Sequence, residues 1–122
     1  MTDAPAILQL IASADRSDTA MLAAIDQKTL DLVRAYDPSA FAYFQIAPAF
    51  TRSQDARHAI VPEGYAAYAE PDMHGGFAGY CFTTSDPLAW NFQSYLSRGA
   101  TEDLAALHAI IQAIASVQGV AA

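Results

Sequence analysis

The sequence is poor in cysteine and in lysine, and both shortages exclude classes of protein. Cys81 is the only cysteine among the 122 residues, so an internal disulfide framework is impossible. Lys28 is the only lysine, and together with five arginines it faces thirteen acids, for a net charge of −7. Nucleic acids and anionic membranes bind proteins through clustered Lys and Arg. We therefore expect neither of them as a partner.

The sequence also lacks a recognisable secretory signal or membrane span. The chain begins MTDAP, with an acid where a secretory signal carries basic residues. The run 104–122 is apolar, but four polar residues interrupt it, whereas a transmembrane helix needs about twenty mostly apolar residues. We expect this run to form a helix of the core.

What the sequence has in quantity is apolar residues. They make up 53% of the chain, and charged residues only 16%, which favours a packed core over disorder. A chain of this length is long enough for one such core and too short for two. We therefore expect a single domain over residues 1–122.

The first half of the chain predicts two helices and a strand. Residues 5–13 are suited to a short helix. Residues 18–34 place apolar side chains at helical spacing, with Ser17 or Asp18 as the N-cap. The aromatic and branched residues of 41–47 are typical of a strand.

The second half predicts the order α-β-β-β-α. Ser53 is the expected N-cap of a helix of about two turns over 54–61, and Gly64 allows a sharp exit from it. Residues 65–70 and 77–84 have strand composition and flank a short turn, so they should pair as a hairpin.

Residues 85–99, SDPLAWNFQSYLSRG, fit two structures. Their first three residues are a helix start signal, whereas the alternation of Trp90, Phe92 and Leu96 with polar residues is a strand pattern. We favour a third strand. Thr101 then caps a final helix, which carries two acids in its first turn.

The strands are apolar on both faces. Phe77 and Cys81 fall on one face, and Tyr80 and Phe82 fall on the other. A sheet with one wet face keeps one set of alternate positions polar, so both faces should be covered, either by helices or by a partner. Because the chain has enough helix for this, we expect an α+β fold built as an α/β/α sandwich. Its small, mainly antiparallel three-stranded sheet would have helices on both faces.

One stretch, FTRSQDARHAIVPEGY over residues 50–65, resembles a known motif. The phage ABA sandwich domain family shows an aromatic-Thr-x-Ser-x-Asp-Ala-Ala run followed by Leu-Val-Pro-Glu-Gly and an aromatic. The matching residues here are Phe50, Thr51, Ser53, Asp55, Ala56 and Ile60 to Tyr65. The final ATEDLAALHAIIQAI is similar to the family's Ala- and Leu-rich last helix, while Arg57 and His58 replace residues that are usually apolar there.

The resemblance implies a fold and a setting. The implied fold is a sandwich of α, β and α layers, and the implied setting is a phage or an integrated prophage. It places the protein in the cytoplasm of a bacterial host or in a virion. The family carries no established biochemical function, so the resemblance supplies no catalytic residues.

The order α-β-β-β-α is also similar to that of double-stranded RNA-binding domains. Those domains hold lysines at the start of the last helix, where they meet phosphates. This chain has Thr101, Glu102 and Asp103 there, so the charge opposes RNA binding even where the topology agrees.

The turn EPDMHGG brings three possible metal ligands close together in sequence. Glu70, Asp72 and His74 offer carboxylates and an imidazole, which suit zinc or manganese. A solvated hairpin turn explains the same residues, because Gly75 and Gly76 supply positive φ. We favour the turn and expect no bound metal or cofactor.

Other reactive residues have plain structural explanations too. Cys81 with His58 or His108 could act as nucleophile and base, yet a cysteine in mid-strand is usually a small apolar residue. Asp55 and Glu63 are suited to a helix start and a turn. The aromatic residues Trp90, Phe92 and Tyr95 could stack on a ligand, but such runs more often belong to a core or an interface.

We expect no catalytic site, and three functions stay open. The first is a small acidic, non-enzymatic phage or prophage protein that binds another protein, with a homo-oligomer possible. The second is an acidic inhibitor or immunity-like decoy of a basic protein surface, suggested by the charge of −7. The third, which we favour least, is a metal-dependent hydrolase using Asp72, His74 and a histidine from elsewhere.

Overall fold

The computed structural model describes residues 4–85, 88 and 92–117. Within these residues, four helices and three strands follow one another. They are α1 (Ala4–Ser13), α2 (Thr19–Tyr36), α3 (Gln54–His58), β1 (Tyr65–Pro71), β2 (Phe77–Thr83), β3 (Ser94–Gly99) and α4 (Glu102–Val117). This is a small α+β fold, as the sequence predicts.

Helices α2, α3 and α4 each begin directly after a residue whose side chain caps the N-terminus. Asp18 caps α2, because its carboxylate accepts a hydrogen bond from the Met21 backbone N–H at 3.0 Å. Ser53 caps α3 through the Ala56 N–H, and Thr101 caps α4 through the Leu104 N–H. Each of these bonds satisfies a backbone donor that the helix itself leaves unpaired. Helix α3 is shorter than the expected 54–61, because the Ile60 N–H turns back to the Arg57 carbonyl.

The prediction of a strand over 41–47 is wrong. This segment consists of turns and irregular backbone, and Phe41 has a φ of 54°, which is outside the strand region. Arg34 holds the segment by donating to the Ala40 carbonyl at 2.9 Å and to the Phe41 carbonyl at 2.7 Å. The aromatic residues pack on one another instead, since the Phe41 ring makes edge contacts with Phe44 and Phe50.

The sheet is antiparallel, with the strand order β1-β2-β3. Strands β1 and β2 form the expected hairpin, with Tyr65 opposite Thr83 and Pro71 opposite Phe77. The third strand is confirmed at 94–99. The earlier part of that prediction, at residues 86, 87 and 89–91, lies outside the described residues. Before the hairpin, Gly64 has a φ of 83°, a conformation that glycine adopts without a steric cost.

Helix α4 packs directly on one face of the sheet and contacts all three strands. The approach is closest at Gly79, where an added Cβ would lie 2.0 Å from the Ala105 carbonyl oxygen. Beside it, the buried Ser97 hydroxyl donates to the same oxygen at 2.6 Å. The small residues Gly79 and Ser97 therefore allow the backbone of α4 to pack in direct contact with the strands.

The core lies between the sheet and the N-terminal helices. Ten residues of α4 are buried, because the sheet covers one side of this helix and α1 packs along another. Helix α2 packs in turn against α1. Phe50 is fully buried in the same cluster.

Helices on both faces of the sheet were expected, and in the described residues the helices pack on one of them. The covered face contributes Tyr65, Ala67, Cys81 and Tyr95 to the core. Among the described residues, no apolar side chain of the opposite face belongs to this cluster. Within the described parts of the chain, the helices are stacked on one side, in the order sheet, α4 and then α1 with α2.

Candidate functional site

The motif at residues 50–65 serves to attach elements to one another. The buried Asp26 of α2 accepts a hydrogen bond from the Thr51 backbone N–H at 2.8 Å. Burial raises the pKa of the Asp26 carboxyl, and the Thr51 N–H opposes this by stabilising the carboxylate. The bond ties the segment after Phe50 to α2, so Thr51 has a structural reason to be there.

Arg57 makes a second attachment within the motif. Its guanidinium is buried and lies 2.6 Å from the Asp103 carboxylate, and it also donates to the Phe50 carbonyl at 3.2 Å. One side chain thus joins α3, the preceding loop and the start of α4. Arg57, which departs from the motif of the phage ABA sandwich family, therefore has a structural role in the buried part of the protein.

The acidic turn at 70–76 is held together by its own contacts. Asp72 accepts from the His74 backbone N–H at 3.2 Å and pairs with Arg98 at 3.1 Å. Gly75 and Gly76 have positive φ, as the turn explanation requires. His74 and Glu70 are exposed. No group of three or more His, Cys, Asp or Glu suited to a metal ion occurs in the part of the chain that the structure describes.

Cys81 and the histidines sit in different surroundings. Cys81 is fully buried under α4, and this burial raises the pKa of its thiol to about 12, so the nucleophilic thiolate is scarce at neutral pH. His58 is exposed on α3. His108 is half-buried on α4, where burial lowers its pKa and a ring nitrogen lies 2.8 Å from the Gln112 amide.

The remaining predicted candidates do not converge on a site. Asp55 and Glu63 are exposed in the first turn of α3 and in the following turn. Tyr95 packs against the core. Phe92 is half-buried, and Trp90 lies outside the described residues.

A cavity of about 570 Å³ lies at the start of α4. Its lining mixes the cations Arg16 and Arg52 with the acids Asp15, Glu102 and Asp103. Both signs of charge are present, so the lining selects neither an anion nor a cation.

The sheet surface that faces away from α4 is the feature with the clearest binding character. The strand register arranges nine side chains there as three rows of three, one residue from each strand. We call this surface the open face. Row by row, its residues are Ala66, Phe82 and Ser94; Tyr68, Tyr80 and Leu96; and Glu70, Ala78 and Arg98.

Aromatic rings form the middle of the open face. Tyr68 and Tyr80 are stacked with their ring centroids 4.7 Å apart, and Phe82 meets Tyr68 edge-on at 6.0 Å. Despite these contacts, Tyr68 is 47% exposed and the adjacent Leu96 is 62% exposed. Rings that are already ordered against one another lose little freedom when a partner covers them, which favours binding.

The third row places opposite charges at the two edges of the open face. Glu70 accepts a hydrogen bond from the Tyr80 hydroxyl at 3.2 Å. Desolvation, followed by this bond to Glu70, raises the pKa of Tyr80. Arg98 is 68% exposed even though it pairs with Asp72. The surface therefore has an apolar centre and a polar end, the arrangement found in protein interfaces.

Comparisons with known proteins bear on none of these residues. No family model matches the sequence, and neither the curated proteins nor the solved structures yield a match. The resemblance to the phage ABA sandwich family stays a prediction. Within the described residues, no helix is long and apolar enough to cross a membrane.

Sequence reasoning identified the apolar character of the open face but not its exposure. Alternation correctly places Tyr80 and Phe82 together and opposite Cys81. Reading the same alternation across β1 and β3 groups Tyr68 and Leu96 with them. The pattern is the same whether a helix or a partner covers the face.

Proposed function

We propose that this chain is a small acidic, non-enzymatic binding protein of phage or prophage origin that acts by docking another protein on its open face. The observation that carries the proposal is the cluster of Tyr68, Tyr80, Phe82 and Leu96 on a sheet surface, in which Tyr68 and Leu96 are exposed and the other two are half-buried. Contiguous exposed apolar patches on small proteins commonly mark interaction sites. The phage origin rests on the motif at residues 50–65.

The chemistry of the patch favours a protein as the partner. Tyrosine and other aromatic residues are enriched in protein interfaces, because they combine a large apolar area with a polar end. The open face is three strands wide, or roughly 14 Å.

Site-specific photo-cross-linking tests this function. A photoreactive residue placed at Leu96 in producing cells should give discrete adducts with protein. The same residue at Lys28, which is exposed on α2, is the matched control and should give none. Adding Tyr80→Ser should reduce the Leu96 adducts several-fold, because it removes half of the stacked pair. Equal adduct patterns at the two positions would contradict docking on the open face.

A second candidate function is favoured by the charge of −7. An acidic inhibitor or decoy would bind a basic protein surface through its exposed carboxylates. These include Asp15, Asp18, Asp31, Asp37, Asp55, Glu63, Glu70 and Glu102. Binding of this kind weakens steeply as ionic strength rises, whereas an apolar interface persists. In lysates of the same cells, loss of the Leu96 adducts between 0.05 and about 0.5 M salt would favour the decoy over the apolar docking surface.

A further inference from the structure

The charges on the open face are arranged so that the face is complementary to itself. Its third row runs from an acid through a small residue to a base, Glu70, Ala78 and Arg98. The acid lies on one edge strand and the base lies on the other. Two copies placed face to face therefore bring these unlike charges together or keep them apart, depending on the symmetry that relates the copies.

A two-fold axis parallel to the strands brings the unlike charges together. This operation sets β1 of one copy over β3 of the other and keeps each row at the same height along the strands. Glu70 of each copy then faces Arg98 of the second copy, and two ion pairs form. An axis that lies in the sheet plane but runs across the strands places the third row over the first, and no charges pair.

The apolar rows fit the same arrangement. In the middle row, Tyr68 faces Leu96 of the second copy, and Tyr80 faces Tyr80 of the second copy. In the first row, Phe82 faces Phe82 of the second copy, flanked by the small side chains Ala66 and Ser94. Packed sheets stand about 10 Å apart. That spacing leaves room for interleaved aromatic rings and for a long Glu–Arg bridge.

From these placements we infer that the open face is the interface of a two-fold dimer, with a second copy of this chain as its occupant. The inference rests on the proposed docking role of the open face and names the partner. The dimer is isologous, since the same nine residues are used by both copies. In layers, it converts two half-covered sheets into the order helices, sheet, sheet, helices.

The size of the face sets the strength of the dimer. Nine residues on three strands span roughly 300 Å² of sheet per copy, compared with about 800 Å² per partner in a standard stable interface. We therefore expect reversible, concentration-dependent dimerisation, with a dissociation constant on the order of 10–100 μM. Sedimentation velocity over about 5–500 μM covers that range.

A charge-swap experiment tests the dimer. Glu70→Arg should weaken association at least tenfold, because Arg then faces Arg. Arg98→Glu should do the same, because Glu then faces Glu. An equimolar mixture of the two variants should associate at least as well as the wild type, because both pairs across the mixed dimer become complementary. Glu63→Arg and Arg16→Glu reverse charges at exposed positions outside the face and should change nothing.

Other results would overturn the inference. The first is a wild-type protein that stays monomeric at about 500 μM. The second is a dimer that persists in both Glu70→Arg and Arg98→Glu. The third is a mixture of these two variants that does not associate. Because Arg98→Glu removes the pair with Asp72 and could disturb the turn, Leu96→Asp is the second variant. It keeps that pair and should also abolish the dimer, with an unchanged far-ultraviolet circular dichroism spectrum. A dimer that persists in Leu96→Asp would overturn the inference too.

The two proposals fail in different ways. If the chain is monomeric while a photoreactive residue at position 96 captures a protein other than this chain, the self-dimer is wrong and the docking function stands. If adducts at position 96 have twice the mass of the chain and respond to the charge swap, both stand. If position 96 gives no adduct and the chain is monomeric, both fail.

Discussion

Replacing Gly79 by alanine tests the packing of α4 on the sheet, because this packing decides whether the substitution lowers or raises the free energy of unfolding. Gly79 lies inside a strand, where alanine normally stabilises a protein by about 0.4–1 kcal/mol, because it restricts the unfolded chain. Here the added Cβ would lie 2.0 Å from the Ala105 carbonyl oxygen and 2.8 Å from the Ser97 hydroxyl. The first of these atoms is backbone, so the helix itself must move.

The magnitude follows from two costs. Forcing a methyl group into a packed core costs about 1–3 kcal/mol. Displacing α4 also weakens the buried hydrogen bond from Ser97 to Ala105, and such a bond contributes about 1 kcal/mol. We expect the free energy of unfolding to fall by roughly 2–4 kcal/mol, a large part of the 5–15 kcal/mol typical of small domains. The melting temperature should fall by about 10 °C.

Urea unfolding followed by circular dichroism measures this change. Gly75→Ala is the matched control, since an added Cβ there meets no atom within 4 Å although φ is 99°. It should cost only the backbone strain of about 1 kcal/mol. If Gly79→Ala is neutral or stabilising, the close approach of α4 is refuted, and with it the assignment of the covered face.

Three further predictions concern single residues. Gly64→Val should lower the free energy of unfolding by about 1–3 kcal/mol in a urea titration, because its φ is 83° and valine tolerates that poorly; an unchanged midpoint would contradict this. Cys81 should react with a thiol reagent only as fast as the fold opens, because it is buried and its pKa is raised to about 12; rapid labelling of the native protein would count against that burial. Asp26→Asn should match or exceed the wild type in stability at pH 7, since burial raises the pKa of Asp26. Because the pKa of Asp26 is higher in the folded than in the unfolded chain, the wild type loses stability as the pH rises above the unfolded-state pKa of about 3.9. The difference in free energy of unfolding between the variant and the wild type should therefore shrink at lower pH. A difference that grows on acidification would contradict this reasoning.

Local signals in the sequence predict the elements whose ends are fixed by neighbouring residues. Ser53 and Thr101 are recognisable as caps because each side chain bonds an N–H three residues later. The hairpin is predictable for a similar reason, since its turn carries two adjacent glycines. In these places the chemistry that sets the structure lies within a few residues.

Distant contacts decide the features that the sequence did not predict. Residues 41–47 have the composition of a strand, but Arg34 holds two carbonyls of this region from a helix that ends before it. The burial of Arg57 likewise depends on Asp103, forty-six positions away. Composition alone does not reveal such partners.

The layer order depends on a property that alternation does not report. Apolar residues on both faces of a strand show that both faces avoid water. They do not show whether a helix of the same chain or another molecule provides the cover. Tyr68 and Leu96 lie on the face that the described helices leave exposed, and the proposed docking surface rests on this exposure.

The most direct test of docking on the open face is the solvent accessibility of Tyr68 in the cell. Oxidative footprinting compares its reaction rate with that of Tyr43, which is 99% exposed in the irregular segment 41–47. In dilute purified protein both tyrosines should be oxidised in proportion to their exposure. In cells that produce the protein, we expect oxidation of Tyr68 to fall several-fold relative to Tyr43, because a partner covers the open face. An unchanged ratio of the two rates would contradict the account.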